Sequence, residues 1–303
     1  MERRWTGDAG KEVGGRFGDP HHENAMISTL FKKKRPRVVA PERPETPQGT
    51  AVWAVGDIHG RLDLLQPLVE AIMADAAASV AERKVVIFLG DYVDRGPDSR
   101  GVIRYLADLP ADRGVEWRFL KGNHEEAMLD FLDDPSAGAR WCEYGGDAAL
   151  RSYGLRPPEL KHKVEAWARI SADLDHKLTP GERAFLENLE LSLSIGDYFF
   201  AHAGARPGEP LERQTERDLM WIRNSFLDSD VEFDKVVVHG HTPTREVHVD
   251  RRRIGVDTKA YESGVLSAVR LERTTRVLLQ SLMQDDGFVR VRAERLSEED
   301  VRA

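Results

Sequence analysis

A mixed α/β fold is predicted for this chain by three features. Apolar runs of strand length end in a glycine followed by polar residues at AVWAVGDIHG (51–60), KVVIFLGDYVDRG (84–96) and EWRFLKGNHE (116–125). The segments between these runs carry apolar residues at helical spacing, so strand, loop and helix alternate, which implies parallel strands with right-handed crossovers. After a long helical stretch, short strand-like runs return and should complete a second sheet.

Taken in order, residues 1–49 are rich in Gly, Pro, Arg and Glu without a sustained period of 2 or 3.6, which predicts a disordered tail ahead of a folded domain at 50–303. Within the tail the basic run Lys32 to Arg37 reads as solvated, and His21 and His22 receive no role. Residues 51–55 form the first strand. Leu62, Leu65, Leu68, Val69 and Ile72 then give one face of a helix over 61–78. The unbroken run KVVIFL (84–89) is a strand covered on both faces. A helix over 98–109 leads to the third strand, 116–120. Residues 126–196 are helical in character (EEAMLDFL, VEAWARI, GERAFLENL), broken at Pro135, Gly145-Gly146 and Pro157-Pro158. They either cap the site and touch substrate or only cover the sheet. His162 and His176 lie there without partners, as surface or core histidines. Strands follow at 198–201, ending in His202-Ala203-Gly204, and at 235–238, ending in His239-Gly240-His241-Thr242. The runs at 253–257, 264–271, 276–282 and 288–292 finish the second sheet.

With 303 residues, 41% of them hydrophobic, the chain can bury a substantial core. A net charge of −8 argues against a nucleic-acid groove. The single cysteine, Cys142, excludes an internal disulfide. No apolar run approaches the roughly 20 residues needed to cross a bilayer, and the N-terminus has no apolar core of the secretory kind. A cytoplasmic monomer that does not engage membranes is expected.

The turns at strand ends offer Asp57, His59, Asp91, Asn123, His202 and His241. In extended chain, residues two apart point the same way, so Asp57 and His59 can converge on one cation. Carboxylate, imidazole and amide oxygen together suit Mn²⁺, Fe or Zn²⁺ better than Ca²⁺ or a thiolate-selected metal. Six side chains exceed what a single open catalytic metal needs. They suit two divalent ions about 3.5–4 Å apart with one bridging aspartate, a pair that can hold a hydroxide and clamp phosphoryl oxygens. The chemistry indicated is phosphoester hydrolysis.

The ordered set GDIHG, GDYVDRG, GNHE, HAG and GHT resembles the calcineurin-like metallophosphoesterase superfamily, and more narrowly the PPP-type serine/threonine protein phosphatases with their bacterial and phage relatives. The resemblance spans about 52–271. It implies a two-sheet β-sandwich flanked by helices, with a dinuclear site at a sheet edge and the helical insertion at 126–196. Asp57 and His59 would hold the first metal, Asp91 would bridge, and Asn123, His202 and His241 would hold the second. His124 would protonate the leaving alkoxide, with Asp94 fixing its tautomer and raising its pKa. Arg95 would grip the phosphate as a rigid fork, aided by a second arginine, Arg223 or else Arg206. Glu125 reads as a first-turn helix acid rather than a catalytic group. His239 reads as supporting or structural, and Tyr261 falls near a tyrosine of related phosphatases in a divergent local sequence. The resemblance implies hydrolysis of phosphoserine or phosphothreonine in proteins, or of small phosphoesters. The alternatives are a symmetric diadenosine tetraphosphatase or other nucleotide phosphohydrolase, and a non-catalytic binding module. Asp94 favours the first, because a poor leaving group needs the acid that a His-Asp pair supplies.

Overall fold

The computed structural model describes residues 40–110, 114–159 and 163–296, all within the unit Val38–Ala303. His21, His22, the Lys32 to Arg37 run and His162 lie outside the described residues.

Strand β1 (Thr50–Val55), helix α1 (Leu62–Ala78), β2 (Arg83–Phe88), α2 (Ser99–Ala107) and β3 (Glu116–Phe119) follow one another as predicted. The chain continues through α3 (Asn123–Asp133), α4 (Gly138–Glu143), α5 (Gly146–Ser152), α6 (Val164–Lys177) and α7 (Pro180–Glu187). It returns to strand at β4 (Ser192–Ile195) and β5 (Tyr198–Ala201), and passes α8 (Glu216–Trp221) and α9 (Asn224–Leu227) to β6 (Val236–His239). Then come β7 (His248–Val249), β8 (Arg253–Gly255), α10 (Ala260–Ser263), β9 (Val265–Glu272), β10 (Thr275–Met283) and β11 (Val289–Arg295).

The strands form a six-stranded sheet, β11-β10-β9-β1-β2-β3, and a five-stranded sheet, β4-β5-β6-β8-β7. Side chains alternate across each strand, and the core divides accordingly. Val52, Ala54, Val85 and Ile87 of the first sheet share one buried cluster with Tyr198, Phe200, Val238 and Ile254 of the second. On the other face of the first sheet, Trp53, Val55, Val86 and Phe88 pack against α1, α2 and the helices of the insertion. On the other face of the second, Phe199, Ala201 and Val237 meet Leu219 and Phe226. The central strands of both sheets are therefore covered on both sides, which explains the continuous apolar runs of β1, β2 and β6.

Three features differ from expectation. The last strands do not extend the second sheet. β9 pairs antiparallel with β1 (Ala54 opposite Val269) and brings β10 and β11 into the first. Strand composition reports burial, not the identity of the partner, and β1 had an unpaired edge to satisfy. Residues 40–49, assigned to the tail, are packed: Thr46 is buried, donates from Oγ1 to the Thr50 carbonyl (2.8 Å) and accepts from the Arg273 amide (2.8 Å). Here the Tyr198 hydroxyl donates to the Pro44 carbonyl (3.1 Å) and the Asp197 amide to that of Glu45 (3.1 Å). Those bonds use main-chain groups, which leave no mark on composition. Finally, β4 lies inside the stretch read as helical and pairs antiparallel with β5. Among the described residues no helix is long and apolar enough to cross a membrane. His176 is exposed in the last turn of α6.

Candidate active site

The loops that follow β1, β2, β3, β5 and β6 gather at one end of the strands. Among the described residues seven non-glycine residues have positive φ, and five of them are His59 (46°), Asp91 (54°), Asp94 (73°), Arg95 (67°) and His241 (62°). Each such residue costs on the order of 1 kcal/mol, and a cluster of them persists only where the surroundings impose it. The glycine that precedes each polar residue has a direct cause. A Cβ on Gly122 would lie 2.2 Å from Asp91 Oδ1, and one on Gly240 would lie 2.0 Å from Asp57 Oδ1. Each glycine lets a carboxylate from a neighbouring loop reach the backbone beside it.

At the centre sits Asp91, 2% exposed. Its Oδ1 is 3.3 Å from His202 Nε2, and its Oδ2 is 3.5 Å from His59 Nε2 and 3.8 Å from His124 Nε2. Asn123 Oδ1 lies 3.0 Å from His202 Nε2 and 2.8 Å from His241 Nδ1, and those two ring nitrogens are 3.2 Å apart. Two groups of potential ligands with mutually close donor atoms result: His59, Asp91 and His124, and Asp91, His202 and His241. Asp57 belongs to neither. Its carboxylate instead accepts from the His241 amide (3.1 Å to Oδ1, 2.9 Å to Oδ2), and it faces the charge of Asp91 closely enough to be perturbed by it.

The donor set fits cations. His59 Nδ1 donates to the Val93 carbonyl (2.8 Å) and His202 Nδ1 to that of Leu89 (2.8 Å). A backbone acceptor on Nδ1 fixes the tautomer that leaves Nε2 a lone pair, the usual support of a metal-binding histidine. Burial pushes the His59 imidazole well below its ordinary pKa and takes His241 down to about 2, with the charge of His202 helping in the second case. Burial, then the charges of Asp257 and Asp91, hold the Asp57 carboxyl well above the usual range. Carboxylate, amide and imidazole donors thus converge on one centre; against burial, the Asp91 carboxylate raises the His202 pKa, and a divalent ion at Nε2 would take the place of that proton.

His124 faces the same centre differently. Its Nδ1 lies 2.6 Å from Asp94 Oδ2, which also accepts from Trp141 Nε1 (2.9 Å). Burial alone would lower the His124 pKa, but the carboxylates of Asp91 and Asp94 outweigh it and raise it. The carboxylate partner expected of an acid histidine is present. Trp141, which sequence reading missed, comes from α4, so the helical insertion reaches the site.

Three other residues acquire roles only in three dimensions. Glu125 is fully buried, and its carboxylate accepts from the amides of Asp91 (2.9 Å), Tyr92 (2.7 Å), Val93 (3.2 Å) and Gly122 (3.0 Å). It is structural, as read, but it holds the 91–93 loop as well as the start of α3. Replacing it with Ala strands those donors, and an unpaired buried donor costs about 1–3 kcal/mol. We expect Glu125→Ala to lower stability by at least about 3 kcal/mol, read as the urea midpoint of the metal-free protein. An unchanged midpoint would show that water satisfies the loop. Asp257, 3% exposed, lies close enough to Asp57 for its charge to raise that carboxyl's pKa, and it accepts from the Lys259 amide (2.8 Å). It follows a strand as the other site carboxylates do, which was the one available signal. Tyr261 is brought to the centre, with its ring 5.2 Å from that of His59 and the Arg95 guanidinium 4.9 Å from its centroid.

The arginines separate clearly. Arg95 donates from Nη1 toward His59 Nε2 (2.9 Å), and its backbone amide donates to the Gly145 carbonyl (3.1 Å). Arg206 is committed to Asp218, with Nε to Oδ2 at 2.8 Å and Nη2 to Oδ1 at 2.5 Å. Arg223 has no carboxylate partner among the described residues and is close enough to His241 for its charge to lower that imidazole's pKa. His239 points away: Nδ1 donates to the Gly240 carbonyl (2.9 Å), and Nε2 meets Arg253 Nη1 (3.3 Å). A separate cavity of about 420 Å³, lined by Val69, Met73, Tyr105 and Trp117 among others, holds none of these groups.

A two-sheet α/β scaffold with carboxylates and imidazoles converging at its strand ends defines a metal-dependent hydrolase. The chain belongs to the calcineurin-like phosphoesterase family, which it matches over residues 50–265. Membership carries phosphoester hydrolysis and the use of divalent metals. Over 238 residues the chain is 32% identical to serine/threonine-protein phosphatase 1 of Salmonella typhimurium, covering 76% of this chain and 96% of that one. Over 261 residues it is 24% identical to an asymmetrical bis(5'-nucleosyl)-tetraphosphatase of Bacillus subtilis, covering 77% and 95%. The crystal structure of a cold-active protein-tyrosine phosphatase of a psychrophilic Shewanella species shares the fold, with a TM-score of 0.50 at 18% identity over 86% of this chain and 85% of that one.

Proposed function

We propose that this phosphoesterase removes phosphate from phosphoserine or phosphothreonine in proteins. The observation that carries the reading is the buried His124–Asp94 pair at 2.6 Å. An alkoxide is a poor leaving group and must be protonated as it departs, whereas a phosphate leaving from an anhydride needs less help. The 32% identity to a relative named as a serine/threonine-protein phosphatase supports the same choice.

In this reading Asp57 and His59 would hold one divalent ion and Asn123, His202 and His241 a second, with Asp91 available to both. When bound, the ions supply charge neutralisation for the phosphoryl oxygens and an acidified water as nucleophile; Mn²⁺, Fe and Zn²⁺ all suit the donor set. Arg95 and Arg223 grip the phosphoryl oxygens and hold the phosphorus in line for attack. Arg206 is spoken for by Asp218. His124 keeps Nδ1–H directed at Asp94 and delivers the proton on Nε2 to the leaving oxygen. Trp141 donates to the same Asp94 oxygen and helps hold it in place.

A second reading, hydrolysis of dinucleoside tetraphosphates, draws on the Bacillus subtilis relative. Parallel turnover of a phosphothreonine peptide, p-nitrophenyl phosphate and diadenosine tetraphosphate with added Mn²⁺ separates the two. We expect kcat/KM for the peptide to exceed that for the dinucleotide at least tenfold. The reverse order would make the chain a nucleotide hydrolase and remove Asp94 as the discriminating residue.

A further inference from the structure

Beside the centre lies a second cavity, of about 320 Å³. Pro243, Thr244 and Arg245, just after the proposed ligand His241, form one wall, and Lys259, Glu262 and Ser263 form the other. The Thr244 amide donates to the Asp257 carbonyl (3.0 Å) and ties the walls together. Of the lining residues, Lys259 lies nearest the site, through the ring of Tyr261, which is itself outside the lining. Tyr261 has the His59 ring at 5.2 Å and the Arg95 guanidinium at 4.9 Å, and Lys259 Nζ lies 5.9 Å from the same centroid. Lys259 itself adopts a left-handed conformation (φ 59°) that L residues take only at a cost.

Two cations border this cavity. Arg245 is exposed and has no carboxylate partner among the described residues. Lys259 is paired with Glu262 at 2.6 Å, but both side chains are well exposed, at 38% and 64%. An exposed pair of that kind is weak, so an incoming anion can take the place of Glu262. The remaining lining is the apolar ring of Pro243 with Thr244, Thr258 and Ser263, whose hydroxyls donate to the carbonyls of Glu246 (2.5 Å), Val265 (2.8 Å) and Thr258 (2.7 Å), so recognition rests on the two cations.

We propose that this cavity is a subsite for an acidic side chain of the substrate, a glutamate or aspartate near the phosphorylated residue, held by Lys259 and Arg245. The choice of ligand rests on the phosphoprotein reading. The subsite makes the enzyme selective for acidic phosphopeptides, with Tyr261 as the partition between the phosphate at Arg95 and the carboxylate at Lys259.

The test compares two phosphothreonine peptides, one flanked by Glu and one by Gln at the same positions, through the ratio of their KM values. The wild-type protein should favour the Glu peptide by about fivefold at low salt, as one or two exposed ion pairs allow, with the preference falling as salt rises. Lys259→Gln and Arg245→Gln should each bring the ratio toward one. Lys259→Arg should keep it, and Glu262→Gln, which removes the competing carboxylate, should enlarge it. A ratio of one in the wild type, or a preference untouched by these substitutions, overturns the subsite. If the peptides bind without turnover, the phosphoprotein reading fails, and the subsite is judged by the same ratio read as inhibition constants against p-nitrophenyl phosphate. A KM for diadenosine tetraphosphate that rises in Lys259→Gln while the peptides show no preference would place a phosphate there and also overturn it.

Discussion

Replacing Asp91 with Asn is expected to abolish useful turnover and to lower bound metal from about two ions per chain to one or none. The side chain is the only carboxylate of the described residues that belongs to both groups of close donor atoms. Oδ1 faces His202 at 3.3 Å and Oδ2 faces His59 at 3.5 Å. Burial would push its carboxyl up, but the charges of His202 and His124 outweigh burial and hold it well below the usual range, so it carries full charge at neutral pH. Asn keeps the shape and one oxygen, which can still accept from the His124 amide (3.1 Å), so the fold should survive. What it removes is a negative charge and the second ligand oxygen. If that costs about 4 kcal/mol of transition-state stabilisation, kcat/KM falls roughly 10³-fold. Metal analysis and p-nitrophenyl phosphate turnover on the same preparation check it. Two ions per chain with near-normal turnover would mean that Asp91 does not bridge.

Residues whose position follows from local chain geometry were legible in the sequence. Strand, glycine and ligand recur because these loops pass neighbouring groups at distances that exclude a Cβ: Asp91 at Gly122, Asp57 at Gly240, the Val256 carbonyl at Gly56 and the Gly122 backbone at Gly90. That constraint is written into three or four consecutive residues. Trp141 was not legible, because it meets Asp94 across 47 residues of sequence through the packing of α4 on Phe131 and Trp167. The sheet order has the same character. Nothing local to 265–272 says that it pairs with β1 rather than joining the second sheet, since an apolar strand records its burial and not its neighbour. The sequence put Arg223 ahead of Arg206, but without a structural reason. Thr215 separated them, because its Oγ1 caps α8 and also donates to Asp218 Oδ2 (2.8 Å), presenting that carboxylate to Arg206.

Removing the imidazole of His124 should show its role through the leaving group rather than through the overall rate. His124→Asn keeps a polar side chain of similar reach at the start of α3; the Asp91, His202 and His241 cluster does not include it, and in the proposed reading Asp57 rather than His124 completes the group of His59 and Asp91, so metal content should stay near wild type. A general acid contributes about 10²–10⁴-fold when the leaving group needs the proton, and little when it does not. p-Nitrophenolate leaves readily as the anion, whereas the alkoxide of serine or threonine does not. We therefore expect kcat on a phosphothreonine peptide to fall about 10³-fold and kcat on p-nitrophenyl phosphate to fall by roughly tenfold or less. Asp94→Asn should follow the same pattern with a smaller loss, because Nδ1 loses the carboxylate that fixes the tautomer and raises the pKa while the imidazole remains. It should also move the alkaline limb of the peptide profile to lower pH, since a His124 without its anionic partner gives up its proton sooner. Equal losses on both substrates would assign His124 to holding metal or phosphate, a role its Nε2, 3.8 Å from Asp91 Oδ2, is close enough to play. The leaving-group split therefore decides between acid and ligand, and the pH limb of Asp94→Asn tests that answer with a residue that touches neither metal nor substrate.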